Sequence, residues 1–338
     1  MNFLIRVDAS NEIGIGHFMR CIALGQMLKD ENQNVSFLTK TNNKSLLDRL
    51  KKENLKTKKL PDITDILIDA ERTLKYARQI DANWIVTDGY IFKTEYQRKI
   101  KNSGIKLMCI DDIAECHYIS DIVLNQNLNA EKIYKYSSEP YTKLLLGIKY
   151  VLLRREFRNF NNFTREIKKE CKNILISMGG SDVKGLSSQL LKYLERISDL
   201  QFNIKVIVGP ESIITNEIIS LSKKSKHSIE ILTNVEDLSE YIKWCDISIS
   251  TSGSIVWELL VFKTPMVLIT VAENQENIAC ELEKEGLSLN LAYIDKPRSE
   301  NIEDKIQILF RSAELRKIMS ERSKNNQIAS ENVINYLN

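Results

Sequence analysis

The chain has 338 residues, too many for one typical core and a fit for two domains of ordinary size. Hydrophobic residues make up 43% and charged residues 28%, the balance of a globular protein that folds in water. With 48 basic against 45 acidic residues the net charge is only +3, which argues against a general nucleic-acid binder but not against a local site for one small anion.

In chain order, short apolar runs alternate with amphipathic stretches, the pattern of parallel strands joined by crossover helices. The first half offers strands "NFLIRV" (2–7), "NVSFLT" (34–39), "NWIVTD" (83–88), "IKLMCI" (105–110) and "DIVLNQ" (121–126). The second half offers "NILISM" (173–178), "FNIKVIV" (202–208), "SIEIL" (228–232), "DISIST" (246–251), "MVLITV" (266–271) and "LSLNLA" (287–292). Both faces of these runs are apolar, as expected of a sheet covered by helices on both sides. The basic stretch "KSLLDRLKKENLKTKKL" (44–60) reads as a solvated helix and loop. The polar, aromatic-spaced stretch "RREFRNFNNFTREIKKECK" (154–172) reads as a linker. The expected division is an N-terminal domain over 1–153, the linker, and a C-terminal domain over 173–338, with the last helix packing back on the first domain. Each half opens on strand, small-residue loop, helix. The expected fold class is therefore α/β: two Rossmann-like, doubly wound domains facing across a cleft.

The six cysteines, Cys21, Cys109, Cys116, Cys171, Cys245 and Cys280, include no CxxC pair, and most lie in apolar runs as buried thiols. No metal or cofactor is expected. "MNFLIRVDAS" lacks the pattern of a signal peptide, and no apolar run approaches the ~20 residues that span a bilayer. The expectation is a cytoplasmic monomer with no nucleic-acid partner and no stable membrane association.

Candidate chemistry gathers at the loops after the strands. In "DASNEIGIGHFMR" (8–20), Gly14, Ile15 and Gly16 lead into a helix whose apolar face is Phe18, Cys21, Ile22, Gly25 and Leu28. Its free N–H groups and positive dipole end suit a phosphate. The third glycine of a dinucleotide fingerprint is replaced by Met19, so that reading fails. His17, one of three histidines, sits where the dipole disfavours a protonated imidazole, which suits a general base. Capping or packing is its ordinary alternative. Asp8 could cap the turn, orient His17 or touch a sugar hydroxyl. Tyr90 could line a pocket or pack at a strand end. His117 and His227 lie in polar surroundings and read as surface residues.

In the second half, Gly179 and Gly180 of "ISMGGSD" (176–182) could cradle a phosphate, or turn tightly with Asp182 capping the helix. In "STSGSIVWELL" (250–260), Ser252, Gly253 and Ser254 precede a helix and could receive a diphosphate, while Glu258 could hold a ribose or merely complement the dipole. Asn274 and Gln275, at the carboxyl end of a strand, suit neutral sugar and acetamido oxygens, or cap the next helix.

"RVDASNEIGIGHFMRC", "CIDDIAECHYISDIVLNQN", "LLLGIKYVLLRREF", "ISMGGSD" and "STSGSIVWELL…VAENQENIA" follow one another in an order that resembles the UDP-2,4-diacetamido-2,4,6-trideoxy-β-L-altropyranose hydrolase family of pseudaminic acid biosynthesis. The resemblance runs from residue 1 to about 330. "TDGY" (87–90) stands for the more usual "VDxY", and "STSGSIVWE" is richer in serine than the usual form. The resemblance implies a glycosyltransferase-B architecture, with UDP held mainly by the C-terminal domain. It implies that His17 is the base that activates water to release free sugar and UDP. It also implies that the uridine sits near "LTNVEDL" (232–238), at Asn234 and Val235, through backbone groups. Arg154 matches a family position and either adds positive field or forms a surface salt bridge. UDP is a good leaving group once its charge is neutralised, so one base and a phosphate site suffice without paired carboxylates or a metal. A glycosyltransferase with the same donor, or a non-catalytic nucleotide-sugar binder, are the alternatives.

Overall fold

The computed structural model describes residues 1–9, 15–62, 65–160, 162–180, 182, 185–209, 216–293, 302–326, 328 and 330–337. The chain divides into two compact units, Met1–Arg155 with Ile328–Asn338, and Glu156–Gln327.

The N-terminal unit runs β1 (Asn2–Val7), α1 (Gly16–Asp30), β2 (Asn34–Thr39), α2 (Lys44–Lys52), β3 (Lys56–Lys59), α3 (Ile66–Gln79), β4 (Trp84–Asp88), α4 (Thr94–Lys101), β5 (Lys106–Ile110), β6 (His117–Tyr118), β7 (Ile122–Asn125), α5 (Ala130–Ile133), β8 (Ser137–Ser138) and β9 (Lys143–Leu146), with α6 (Arg155–Arg158) at the junction. Its main sheet is parallel and ordered β3-β2-β1-β4-β5-β7-β9. Alternation along each strand divides the core. Phe3, Ile5 and Val7 of β1, with Trp84 and Val86 of β4, pack under α1. Leu4 and Ile85 face the opposite side, with Ala70 and Leu74 of α3 and Tyr96 and Ile100 of α4. The face of α1 lies against β2 through Gly25, where an added Cβ would come within 3.2 Å of Phe37 and 3.3 Å of Leu55. A short 3₁₀ helix, Ser330–Tyr336, returns to this unit, and Val333, Ile334 and Leu337 complete the core beneath α1.

The C-terminal unit runs β10 (Asn173–Ser177), α7 (Leu186–Glu195), β11 (Asn203–Val208), α8 (Asn216–Lys224), β12 (Ser228–Thr233), α9 (Ser239–Trp244), β13 (Ile247–Thr251), α10 (Ile255–Val261), β14 (Met266–Thr270), α11 (Glu276–Lys284), β15 (Leu289–Tyr293), α12 (Ile302–Arg311) and α13 (Ala313–Asn325). Its parallel sheet is ordered β12-β11-β10-β13-β14-β15. In both sheets the chain winds outward one way and then reverses, between β1 and β4 and again between β10 and β13. Loops that leave neighbouring strands in opposite directions open a crevice at such a reversal.

Three expectations are corrected. Residues 44–60 are not only helix and loop, because Lys56–Lys59 form an edge strand with every residue exposed. A row of lysines on an edge discourages pairing with another chain. Within 154–172, Arg165 is tied to the C-terminal unit. Its guanidinium donates to the carbonyls of Ile242, Cys245 and Phe262 and to Thr264 Oγ1, at 2.6–2.8 Å. It thereby satisfies carbonyls left open where α9 and α10 end. His227 is not at the surface. It is 4% exposed and packs at a 44° tilt against Phe202 with ring centroids 5.2 Å apart. Its Nδ1 accepts from Phe202 N at 3.2 Å, and Nε2 lies 3.0 Å from Leu194 O, to which it donates. Among the described residues, no helix is long and apolar enough to cross a membrane.

Candidate active site

The reversal of the N-terminal sheet brings together one buried polar cluster. Asp88 ends β4, on the same side of the pleat as Trp84 and Val86, and therefore faces α1. Asp112 follows β5 with the parity of Met108 and Ile110 and emerges on that side too. From α1, His17, Arg20 and Cys21 meet them; positions three and four apart share a helix face. His17 is 6% exposed, Arg20 7%, Asp88 1% and Asp112 5%.

The geometry fixes the histidine's tautomer. His17 Nδ1 lies 2.6 Å from Asp88 Oδ1. Arg20 donates to the same carboxylate through Nε and Nη2, both at 2.6 Å, and to Asp112 Oδ2 through Nη1 at 3.0 Å. Burial pushes the Asp88 carboxyl up, but the charges of Arg20 and His17 and their hydrogen bonds hold it well below the usual carboxylate range. Asp88 is thus an ionised acceptor, and Nδ1 carries the hydrogen that it receives. The 3.0 Å approach of Arg20 Nη2 to His17 Nδ1 is two donors crowding one oxygen. When the ring is neutral, the Nε2 lone pair is left for a proton from outside the cluster.

The Tyr90 ring stands edge-on to His17, centroids 5.1 Å apart and planes at 89°. Burial first, then the charge of Asp112, raises the pKa of its hydroxyl, which stays a neutral phenol. Burial and the Asp88 charge likewise raise that of the Cys21 thiol, which donates to Asp88 Oδ2 at 3.5 Å.

Asp8 does not orient His17. It belongs to a second ionic cluster on the other face of the sheet, where Arg6 pairs with both its oxygens at 2.7 Å and Lys40 N donates to Oδ1 at 2.7 Å. Arg6 also grips Asp69 at 3.0 and 2.7 Å, and Lys40 Nζ lies 3.0 Å from Asp69. Gly14 lies outside the described residues; Ile15 and Gly16 are half-buried at the start of α1. Arg154 is 7% exposed, a buried rather than a surface side chain.

In the C-terminal unit, the loops after β10, β11 and β13 converge. Gly179 holds φ +80°, open to glycine, and a Cβ there would sit 3.6 Å from Thr251 Oγ1. A Cβ on Gly209, after β11, would run into the carbonyl oxygens of Gly179 and Gly180. Asp182 caps α7 by accepting from Leu186 N and Ser187 N at 2.8 and 3.1 Å. Gly253 lies beside Thr251 and Gln275, whose side chains would be 3.9 Å from an added Cβ. Ser252 is fully buried, and its hydroxyl turns to Ile269 O at 3.4 Å, so its side chain serves the fold. Ser254 stands at the N-cap of α10 without spending its hydroxyl on the helix. Gln275 Oε1 accepts from Val271 N at 3.2 Å, and Asn274 is half-buried beside it. Glu258 is 8% exposed on α10. Asn234 and Val235 follow β12, at the sheet's edge, with Asn234 at φ +55°. Among the described residues, no three His, Cys, Asp or Glu side chains are grouped to hold a metal ion.

Sequence reasoning singled out His17 but not the residues packed around it, Asp88, Arg20 and Asp112, nor Gly209 in the second unit. Arg20 was signalled by its three-residue spacing from His17. Asp88 and Asp112 were signalled by strand parity at "WIVTD" and "CIDD".

Two parallel sheets, each reversing between two interior strands, define a glycosyltransferase-B fold. Acinetobacter baumannii MurG superposes with a TM-score of 0.70 over 99% of either chain at 15% identity, a likeness of fold. The chain belongs to the family of the glycosyltransferase family 28 C-terminal domain, whose sequence profile matches residues 156–333. A Methanocaldococcus jannaschii protein of uncharacterised activity is 30% identical over 283 residues, 81% of this chain and 57% of its own length. The UDP-2,4-diacetamido-2,4,6-trideoxy-β-L-altropyranose hydrolase of Campylobacter jejuni is 26% identical over 299 residues, 87% of this chain and all of that enzyme. The resemblance drawn from the motifs therefore holds across a whole hydrolase of that name.

Proposed function

We propose that the protein hydrolyses a UDP-linked 2,4-diacetamido-2,4,6-trideoxyhexose, the L-altropyranose form, to the free sugar and UDP, as in pseudaminic acid biosynthesis. The observation that carries this reading is the Asp88–His17 contact, which leaves Nε2 as acceptor. A water gives its proton to Nε2 as its oxygen bonds to C1 of the sugar. The C1–O bond to the diphosphate breaks, UDP takes the electron pair, and the proton on His17 returns to solvent. Asp88 supports the imidazolium formed on the way. No acid is needed for a leaving group whose charge is already met by N–H groups and a positive field.

The remaining residues divide by unit. In the C-terminal unit, Gly179, Gly180, Gly253 and Ser254 receive the diphosphate, with Ser252 contributing through its backbone. Glu258 takes the ribose, Asn234 and Val235 the uracil through backbone groups, and Asn274 and Gln275 the sugar. In the N-terminal unit, Gly14, Ile15 and Gly16 line the catalytic loop, Tyr90 walls the sugar beside His17, and Arg154 adds positive field. Asp8, held by Arg6 and Lys40 N, serves the fold rather than touching ligand.

His17→Ala protein, assayed for UDP release and free sugar by mass spectrometry, should lose about 10²–10⁴-fold in rate; activity near wild type overturns the reading. A second reading, transfer to an acceptor hydroxyl, is favoured by the family match to a glycosyltransferase domain. It predicts a glycoside in place of free sugar when candidate acceptors are added.

A further inference from the structure

Asp112 has no part in the reaction just described, yet it is built into the cluster at some cost. It is 5% exposed; its carboxylate accepts from Arg20 and hydrogen-bonds the Tyr90 hydroxyl, while the buried Oδ1 accepts none from any described residue. A buried carboxylate with one oxygen left without a donor is unfavourable unless its charge is used. The formal charges facing it are few. From α1 come Arg20, positive, and Cys21, a neutral thiol; from the end of β4 come Asp88, negative, and Tyr90, a neutral phenol. Tyr136 also feels Asp112 and is neutral, because burial and Asp111 push its hydroxyl up. Asp111 itself points to the other face of the sheet, where Tyr136 donates to it at 2.8 Å. With His17 neutral, two carboxylates face one guanidinium and the cluster is left with one uncompensated negative charge. With His17 protonated, the charges cancel.

We propose that Asp112 is a positioning residue that acts through Arg20: its charge occupies the guanidinium that would otherwise neutralise Asp88, and so makes protonated His17 the electrically balanced state of the site. Without Asp112, Arg20 and Asp88 would form a closed pair and His17 would face a neutral neighbour. The inference rests on the proposed role of His17, but its electrostatic part can be read without turnover.

The test uses Asp112→Asn, which keeps shape and removes charge. With only three histidines, ring-nitrogen NMR of ¹⁵N-histidine-labelled full-length protein follows each imidazole, and His17 is assigned by its loss in His17→Gln. Losing a nearby negative charge disfavours the imidazolium, so the midpoint of His17 protonation should move down by about one pH unit or more. The acid limb of the pH–rate profile should move with it, and kcat should fall about tenfold with KM unchanged. Asp112→Glu should restore the wild-type limb. The buried His227 reports that the C-terminal unit is intact, thermal unfolding tests the N-terminal unit, and Asp112→Ser carries the same expectation if the amide unsettles the fold. A His17 midpoint within about 0.3 pH units of wild type overturns the proposal. An active His17→Ala beside a shifted midpoint would instead sink the base assignment and leave this one standing.

Discussion

Replacing Asp88 by Asn tests the cluster at its centre. The wild-type carboxylate accepts three nitrogen donors at 2.6 Å, one from His17 and two from Arg20. Asparagine has one acceptor oxygen, and inside a site 1% exposed its NH₂ opposes an Arg20 N–H in either orientation. At the Oδ2 position it faces Nε and the Cys21 thiol, both donors, whereas at the Oδ1 position it faces Nη2 but can donate to a His17 Nδ1 that has given up its hydrogen, so the amide should turn its NH₂ to the ring. His17 then accepts on Nδ1 and carries its hydrogen on Nε2, the wrong tautomer for taking a proton from water. The same inversion in a serine-protease triad costs about 10⁴-fold. At about 1.4 kcal/mol per decade, this is about 5–6 kcal/mol of barrier. The structural cost should be smaller than the about 3–5 kcal/mol of a broken buried pair, because Asp112 still holds Arg20. Initial rates of UDP release from a UDP-diacetamido-trideoxyhexose, beside a thermal melt, separate the two effects. A folded Asp88→Asn protein within about threefold of the wild-type rate would refute the tautomer argument.

Other outcomes follow from the same structure. Asp69 is held below the usual carboxylate range, because Arg6 and Lys40 outweigh the burial that pushes it up. Its contribution to stability is full above its unfolded value of about 3.9 and lost as pH falls through the folded one; Asp69→Asn should therefore be less stable at neutral pH and flatten the acid side of a urea-unfolding series. His227→Phe keeps the ring against Phe202 but leaves Phe202 N–H unpaired, while Leu194 O still accepts from Ile197 N; it should cost about 1–3 kcal/mol by denaturant unfolding. Gly209→Ala drives a methyl into two backbone carbonyls and should cost about 1–3 kcal/mol or more, with weaker UDP binding by calorimetry as the second readout.

The strands were legible because parallel sheets bury both faces, and apolar runs as short as "NILISM" and "MVLITV" fit a doubly covered strand better than a helix. Lys56–Lys59 escaped notice for the converse reason: an edge strand needs no apolar face, only a neighbour to pair with. His17 could be found from its own loop. Its partner Asp88 is 71 residues away, and only the shared reversal of the sheet brings them together. His227 was misjudged because "SKKSKHSIE" is polar in sequence, while the ring is drawn inward by two backbone groups that no composition reveals. Arg165 was hidden in the same way, its partners being carbonyls rather than acids.

The return of residues 328–337 to the first unit has a consequence for biogenesis. Val333, Ile334 and Leu337 lie in the core beneath α1, yet the ribosome makes them after all of Glu156–Gln327. The second unit can therefore finish folding while the first still lacks a wall. The half that starts first closes last, and a nascent chain stalled near its end should carry a locked C-terminal unit beside an N-terminal one still open to proteases.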